Sequence, residues 1–502
     1  MRCLLPFLIF VTALAQAAED PLLVRSASGL VRGFAHEGVH EFRGIPFAAS
    51  TAGEKRWTLP VPAPAWEGER DATRHGPGCP QVERYRITEA SDAEDCLALD
   101  IAVPAAPAVR ARPVFVWFYG GAFVGGASNL YLLHRLAREG DMVVVAGNYR
   151  IGALGFLSHA QIDAAANGAL GLEDQRLLLR WVQQNIAAFG GDPDNVTIAG
   201  ESAGAASVCL QLTAPLRSRG LFHRAIIQSA ACTRGSRSTE EAFATASDLA
   251  ARSGCGEASD SLACLRKVPL PQLLAAQTAI ADGELLAFAP SVGSAALPRQ
   301  VADAFRSGDF LRVPVMNGAL RDEMRLYVGY EVEAGARVDA ATYTSRIRAM
   351  YGKNADAVLA RYPIESDAQA PAALGRLMSD FMPNGILDNC RILRTTWMVA
   401  RQVPAYAYLW DDPGAPPVMK NPGFAMGSVH SAELPYLFPG FSNNRRYDTP
   451  ALTPASDGLA REMIARWSAF ARNGDPAVAG LPAWPRFATD ADVMQLTPGA
   501  SG

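Results

Sequence analysis

The sequence predicts an α/β fold with a mostly parallel central sheet, helices on both faces and long insertions. Six short apolar runs bounded by Gly or Pro have the composition of buried strands, at 114–118, 142–148, 196–200, 225–230, 313–319 and 405–410. These runs do not alternate apolar with polar residues, which is typical of strands covered on both faces. Helical patterns are interleaved with them, as crossover connections between parallel strands require.

Two of these helical patterns are amphipathic. From Leu172 to Phe189 apolar residues recur at helical spacing, and the pair Gly190-Gly191 ends the pattern. A second helix is predicted from about Leu459 to Arg472, where the sequence NGDP stops it. Both helices have one apolar face for packing against the sheet.

Composition places the chain among large globular proteins. It has 502 residues, 49% of them hydrophobic and 19% charged, which is enough apolar material for a large core. The formal net charge is −4, and a nucleic-acid partner is therefore not expected. The sequence has no low-complexity tract, internal repeat or charge run that would divide it. We expect a single domain over residues 19–502.

The first 18 residues have the pattern of a signal peptide. Arg2 supplies the positive start, Leu4 to Leu14 is an apolar stretch of 11 residues, and Ala15-Gln16-Ala17 is a small-residue cleavage signature. We expect cleavage near Ala17 and Ala18 and export to the periplasm or beyond. A spanning helix needs about 20 apolar residues, and the sequence predicts none in the mature chain.

The strand at 196–200 is followed by Gly200-Glu201-Ser202-Ala203-Gly204 and then by a helix-compatible run. This is the G-x-S-x-G pattern in the context where it makes a nucleophile elbow, a sharp turn that exposes a serine hydroxyl above the sheet. The helix N-terminus that follows favours a developing negative charge. The pattern predicts Ser202 as a nucleophile.

A second Gly-rich segment, Tyr119 to Phe123, follows the strand at 114–118. In folds with this kind of elbow, the loop after an early strand supplies backbone N–H groups to an oxyanion hole, together with the residue after the nucleophile. The predicted donors are Gly121, Ala122 and Ala203.

The base follows by elimination. The expected chain order is Ser, acid, His, and only His223 and His430 come after Ser202. His223 is too close to Ser202 to leave room for a strand carrying the acid, which leaves His430. The acid is Asp322 or Glu323, since both follow the strand at 313–319, and the pattern does not choose between them.

These motifs resemble those of type-B carboxylesterases, the group that includes the cholinesterases. The run FGGDPDNVTIAGESAG (189–204) is similar to the family's serine signature, and EDCLALD (94–100) to its second signature, with Ala98 where an aromatic residue or Thr is usual. FRGIPFA (42–48), GNYRIGALGFL (147–157) and WSAFARNGDP (467–476) are also family-like. The resemblance covers nearly the whole mature chain and implies the α/β-hydrolase fold.

The resemblance implies that Ser202 is the nucleophile, Glu323 the acid and His430 the base. It also gives supporting positions to Glu201, Ser229 and Glu433, the last two by hydrogen bonds to the histidine. Three positions depart from the family pattern. Tyr119 replaces the usual His of the oxyanion loop, and Met324 and Ser431 stand where Gly is usual, so they narrow the space around the triad.

Seven cysteines remain after the signal peptide. Two pairs lie close in sequence and bracket polar stretches, and the resemblance pairs them as disulfides: Cys79 with Cys96, and Cys255 with Cys264. Cys209 and Cys232 have the surroundings of buried, small apolar residues. No CxxC or HExxH spacing is present, so the sequence predicts no metal site.

The predicted function is hydrolysis of small-molecule carboxylic esters through an acyl-enzyme intermediate, with no cofactor. An amidase or thioesterase with the same triad is an alternative, because the triad does not distinguish leaving groups. A non-catalytic adhesion protein is a second alternative, because some relatives have lost the nucleophile or the histidine. All three triad residue types are present here, which favours an enzyme.

Overall fold

A computed structural model describes residues 20–83, 89–383, 385–442, 449–499 and 501–502. The predicted signal peptide, residues 1–18, lies outside the described residues. The described strands are β1 (Leu23–Ser26), β2 (Gly29–Arg32), β3 (Phe34–His36), β4 (Val39–Pro46), β5 (Glu69–Asp71), β6 (Ala98–Pro104), β7 (Arg112–Phe118), β8 (Val143–Gly147), β9 (Gly191–Glu201), β10 (Arg224–Gln228), β11 (Val315–Leu320), β12 (Ala405–Trp410) and β13 (Val493–Leu496).

The described α-helices are α1 (His134–Gly140), α2 (Gly152–Phe156), α3 (Leu170–Asn185), α4 (Ala203–Leu212), α5 (Pro215–Ser218), α6 (Thr239–Arg252), α7 (Ser261–Lys267), α8 (Leu270–Gly283), α9 (Val301–Ser307), α10 (Arg325–Glu333), α11 (Ala340–Tyr351), α12 (Ala355–Arg361), α13 (Ala370–Asp380), α14 (Asn389–Ala400), α15 (Leu434–Leu437) and α16 (Pro454–Asn473). Short 3₁₀ turns lie at Gly53–Lys55, Ser128–Leu130, Ile186–Phe189, Gly352–Asn354, Asp367–Gln369 and Asp490–Asp492.

The main sheet has ten strands in the order β13-β12-β11-β10-β9-β7-β8-β6-β4-β3. Every neighbouring pair from β13 to β8 is parallel, whereas β6, β4 and β3 continue the sheet antiparallel. The six predicted strands are confirmed as β7 to β12, and they occupy consecutive positions in the parallel part. This confirms the mostly parallel α/β fold. Strand β9 lies inside it, between β7 and β10.

The two amphipathic helices are confirmed as α3 and α16. The chain leaves the α3 region through a 3₁₀ turn that ends at Gly190, whose φ of 77° is left-handed. Helix α16 begins after Thr453, whose hydroxyl accepts a hydrogen bond from the N–H of Ser456, and it ends at Gly474 with a φ of 75°. These ends follow the usual capping rules, in which side-chain oxygens satisfy the first turn and Gly closes the last.

The core around the sheet is accompanied by a smaller apolar cluster that packs α10 to α13 together. This cluster includes Met324, Val328, Tyr343, Ile347 and Leu374, all buried. Residues 324–387 therefore form one of the long insertions that the sequence predicts, and they lie directly after the strand that leads to Glu323.

Three disulfides are present among the described cysteines. The pairs Cys79–Cys96 and Cys255–Cys264 agree with the pairing that the family resemblance implies. Cys209 and Cys232 were expected only to be buried, small apolar residues, and the disulfide that they form, with their Cα atoms 6.1 Å apart, was not predicted. Both are buried as expected, but α4 brings Cys209 beside the loop after β10, which pairs them.

No helix in the described part of the chain is long and apolar enough to cross a membrane.

Candidate active site

Ser202 occupies the turn between β9 and α4, with left-handed backbone angles (φ 57°, ψ −123°). The turn is tight because the flanking backbone comes very close to it. A Cβ at Gly204 would lie 2.0 Å from the carbonyl oxygen of Phe118, and one at Gly200 would lie 2.5 Å from the carbonyl carbon of Gly204. Only Gly fits at these two positions, and the half-buried serine side chain is left facing a cavity.

Two of the three predicted oxyanion donors, Gly121 and Ala122, line the same cavity, and Ala203 lines an adjoining cavity that Ser202 also lines. Ala203 is the first residue of α4, so its N–H has no partner inside the helix. Gly121 and Ala122 line the cavity beside Ser202, and within the described residues their N–H groups donate no backbone hydrogen bond. Gly121, Ala122 and Ala203 therefore each line a cavity that Ser202 also lines, and within the described residues none of their N–H groups donates to a backbone oxygen.

The structure distinguishes the two candidate acids. Glu323 Oε2 lies 2.6 Å from Nδ1 of His430, and its Oε1 accepts a hydrogen bond of 2.8 Å from the N–H of Leu320. Asp322 turns away from the histidine, and its Oδ2 accepts the N–H of Ser428 at 3.1 Å. Glu323 and His430 are both buried, so their contact is shielded from solvent.

A second carboxylate faces the other nitrogen of the ring. Nε2 of His430 lies 3.0 Å from Glu201 Oε1, which also accepts a hydrogen bond of 2.7 Å from the hydroxyl of Ser431. This contact of Ser431 with Glu201 could not be predicted, because the two residues are 230 positions apart in the chain. Ser431 therefore holds Glu201 in place as well as occupying space beside the triad.

Ser229 and Glu433 do not make the hydrogen bonds to His430 that the resemblance implies. Glu433 Oε1 accepts a bond of 3.1 Å from the amide of Gln228. The hydroxyl of Ser229 is buried and has no hydrogen-bond partner among the described residues. Glu433 still acts on the ring through its charge, since it contributes to the shift in the pKa of His430.

The buried carboxylates control the charge of the histidine. Burial alone disfavours the imidazolium and lowers the pKa of His430. The charges of Glu201, Glu323 and Glu433 oppose this effect and raise that pKa to about 9. Burial raises the pKa of Glu433 to about 8 and also raises the pKa of Glu201. The carboxyl groups of Glu201, Glu323 and Glu433 and the imidazole of His430 thus lie together, buried from solvent. In this site the positively charged form of the imidazole is favoured over its neutral form.

We expect kcat/KM for a neutral ester to rise with pH through an ionisation above the ordinary histidine value of about 6.5. His430 acts as a base only when neutral, and its pKa is raised. Glu201→Gln removes a carboxylate that favours the charged ring, so the acid limb of the profile should move to lower pH. The measurement is kcat/KM from about pH 5 to about pH 10, with Glu54→Gln, an exposed site, as control. A wild-type limb at the ordinary value, or no shift in Glu201→Gln, would contradict the prediction.

Five residues in or beside the site have left-handed backbone angles although they are not Gly: Ala122, Phe123, Ser202, Ser229 and Ser431. For residues with a Cβ this conformation costs roughly 1–2 kcal/mol. The surrounding packing therefore holds the site in a strained form, as is common where side chains must be presented in fixed directions.

Ser202 lies between two cavities, and its side chain lines both. The first, here the apolar cavity, is lined by Ala206, Leu210, Leu286, Ala289, Val301 and the Cys209–Cys232 disulfide. The second, here the histidine-side cavity, is lined by His430, Glu201, Tyr131, Tyr327, Tyr330 and Phe441. A bound ester therefore has room for a separate group on each side of the serine.

The described residues contain one cluster that has metal-binding side chains, formed by His36, Glu41 and His134. It lies at β3, the edge strand, five strand steps from β9 in the sheet order. At the usual strand spacing this is roughly 24 Å from the line of β9. Glu41 is already paired with Arg43. The cluster was not predicted, because its two histidines are 98 residues apart, and it has no part in the chemistry at Ser202.

A mostly parallel sheet that presents a serine at the turn after an inner strand, with a histidine and a carboxylate from later loops beside it, is the architecture of α/β-hydrolases.

Comparison with known proteins narrows this class. A model of the carboxylesterase family matches residues 20–501. Fumonisin B1 esterase of Sphingopyxis macrogoltabida is 35% identical over 511 aligned residues, covering 97% of this chain and 89% of that protein. Para-nitrobenzyl esterase of Bacillus subtilis (strain 168) is 32% identical, covering 93% and 92%. The solved structure of a thermophilic para-nitrobenzyl esterase superposes with a TM-score of 0.78 at 29% identity, covering 95% of this chain and 96% of that one. The chain belongs to the carboxylesterase family and is a carboxylic ester hydrolase.

Proposed function

We propose that this protein hydrolyses small-molecule carboxylic esters through a Ser202–His430–Glu323 triad and an acyl-enzyme intermediate. The observation that carries the proposal is the buried 2.6 Å contact between Glu323 Oε2 and His430 Nδ1, on a ring that lines the same cavity as Ser202. In the neutral ring, which is the form that acts as base, a carboxylate at Nδ1 fixes that nitrogen as the protonated one, so Nε2 carries the lone pair.

In the first step Nε2 of His430 accepts the proton of Ser202 while the serine oxygen attacks the ester carbonyl. Nε2 rests 3.0 Å from Glu201 in this structure, so the ring exchanges this contact for one to the serine when substrate is bound. The Glu201 charge also stabilises the imidazolium that forms. Ser431, which donates to Glu201, positions that charge.

The carbonyl oxygen becomes negatively charged in the tetrahedral intermediate. The N–H groups of Gly121, Ala122 and Ala203 stabilise it, aided by the N-terminus of α4. Collapse of the intermediate breaks the bond to the alcohol, which leaves with the proton from Nε2. Water then attacks the acyl-enzyme by the same route, with His430 again accepting and returning the proton. No cofactor takes part in these steps.

We also propose that residues 19–502 form a single domain of an exported protein. The signal-peptide pattern at residues 1–18 and the three disulfides support export, because disulfides persist in oxidising compartments.

Covalent labelling tests the acyl-enzyme route directly. Diisopropyl fluorophosphate should react once with the folded protein, forming a bond from the serine oxygen to phosphorus and releasing fluoride. The adduct should map to the peptide containing Ser202, because this serine lies at the turn between β9 and α4 and lines the cavity that His430 also lines. Denatured protein is the control and should not be labelled. A label on another serine of the folded protein would reject Ser202 as the nucleophile.

A further inference from the structure

This inference rests on the proposed function. The position of His430 indicates which cavity takes the alcohol of the ester and which takes the acyl group. The histidine must hand its proton to the departing alcohol, so the alcohol leaves on the side of the ring. That side is the histidine-side cavity, which His430 lines. The apolar cavity is lined by Ser202 and not by His430. The acyl group of the ester therefore enters the apolar cavity.

The apolar cavity contains positive charge only. Its lining includes two charged residues, Arg234 and Arg237, and among the described lining residues there is no Asp or Glu. Arg237 is already engaged, since its guanidinium is paired with Glu284 and bonded to the hydroxyl of Thr245 at 2.8 Å. For Arg234, no carboxylate of the described chain lies within 4.0 Å, and its side chain makes no hydrogen bond to the described residues.

Arg234 is carried by a loop that is fixed at both ends. The Cys209–Cys232 disulfide joins the start of the loop to α4. At the other end Ser236 exchanges two hydrogen bonds with the side chain of Gln300, its N–H donating at 2.7 Å and its carbonyl oxygen accepting at 2.9 Å. These attachments keep the loop against the apolar cavity, and Arg234, an exposed residue, lines the wall of that cavity.

We propose that the apolar cavity takes an acyl group that ends in a carboxylate, so that the preferred substrates are monoesters of dicarboxylic acids. The methylene groups of such an acyl chain contact Leu210, Leu286 and Ala289. The terminal carboxylate binds the guanidinium of Arg234, which offers paired donors that match a carboxylate. The reaction at Ser202 is unchanged, and Arg234 is a specificity-determining residue.

The test uses esters of a single alcohol, 4-nitrophenol. Within each pair of esters the acyl chains have equal length, and only one of them ends in a carboxylate. The substrates are the 4-nitrophenyl monoesters of adipic and suberic acid, and the 4-nitrophenyl esters of hexanoic and octanoic acid. We expect the wild-type protein to show a higher kcat/KM for at least one of the two anionic esters than for its neutral partner. Arg234→Gln should reduce that ratio by about tenfold, through KM more than kcat. The neutral esters should be unaffected.

Arg110→Gln is the matched control, because Arg110 is exposed on the loop between β6 and β7 and the variant makes the same change in net charge. An unchanged ratio in Arg234→Gln, or an equal loss in Arg110→Gln, would overturn the proposal. So would a wild-type preference for the neutral ester of both pairs. Failure of the proposed function would look different: the neutral esters would then not be hydrolysed, or would be hydrolysed equally by a protein whose Ser202 is blocked with diisopropyl fluorophosphate.

Discussion

A Ser202→Ala variant is expected to lose ester hydrolysis by a factor of about 10⁴ or more while it folds as the wild type does. The serine oxygen supplies the bond to the acyl group, and Ser431, the other serine that lines the histidine-side cavity, already donates its hydroxyl to Glu201. The side chain is half-buried and lines two cavities, so removing its oxygen leaves the core packing intact. The measurement is kcat for 4-nitrophenyl butyrate, with the melting temperature as a check on folding.

Ser236→Ala provides the matched control for this variant. Ser236 lines the apolar cavity as well, and it holds its loop through backbone atoms rather than its hydroxyl. It should therefore keep wild-type activity. A folded Ser202→Ala protein with substantial turnover would show that another group attacks the ester.

The second large effect is expected for Glu323→Gln, with a loss in kcat of about 10³ to 10⁴. A Gln amide can donate to Nδ1 of His430, which would place the ring proton on the wrong nitrogen. It also removes the negative charge that stabilises the imidazolium at 2.6 Å. Leu320 can still donate its N–H to the amide oxygen, so the local backbone should keep its position.

Asp322→Asn distinguishes this role from that of the adjacent acid. Asp322 binds the N–H of Ser428 and lies 3.2 Å from Arg325, away from the histidine. Its amide variant should lower the melting temperature and change kcat far less than Glu323→Gln does. The opposite order of effects on kcat would assign the acid role to Asp322.

The parallel half of the sheet was predictable because its strands are buried on both faces and form uninterrupted apolar runs. Strands β1 to β6 and β13 were not predicted. Five of them, β1, β2, β3, β5 and β13, have only three or four residues, and β1, β2 and β5 form a separate three-stranded sheet. Strands β4 and β6 are longer, but charged residues interrupt their apolar ones. Their sequences carry little periodic signal, and their pairing depends on distant neighbours.

The proposed roles of Ser202 and His430 could be predicted because each rests on a residue type and its position after a strand, and both residues line one cavity. The proposal of Glu323 rather than Asp322 as the acid needed either the family resemblance or the structure, because both acids follow the same strand. The disulfide between Cys209 and Cys232 depends on how α4 packs beside the loop after β10. No local pattern records that contact, and burial alone does not distinguish a free cysteine from a paired one.

The two cavities could not be predicted from the sequence either. Their walls combine segments that are far apart in the chain, such as Tyr131, Tyr327 and Phe441 on the histidine side. Leu285 and Leu286 line the apolar cavity together with residues of α4 and the loop after β10. No role was predicted for Arg234 from the sequence, because a single Arg does not form a recognisable motif. Its significance comes from the absence of acidic residues around it in the described cavity wall.

The left-handed residues around Ser202 also bear on how this enzyme can be made to withstand heat. Replacing Ala122 or Ser431 by Gly would relieve the backbone strain and raise thermal stability, but it would lower activity. The backbone angles at these two positions orient the groups of the active site. Glu37 has the same kind of backbone angle, with a φ of 47°, but it lies in the exposed turn between β3 and β4, next to Gly38. A two-residue turn of this shape favours Asn-Gly. Protein engineers can therefore seek heat resistance at this hairpin and leave the reacting centre as it is.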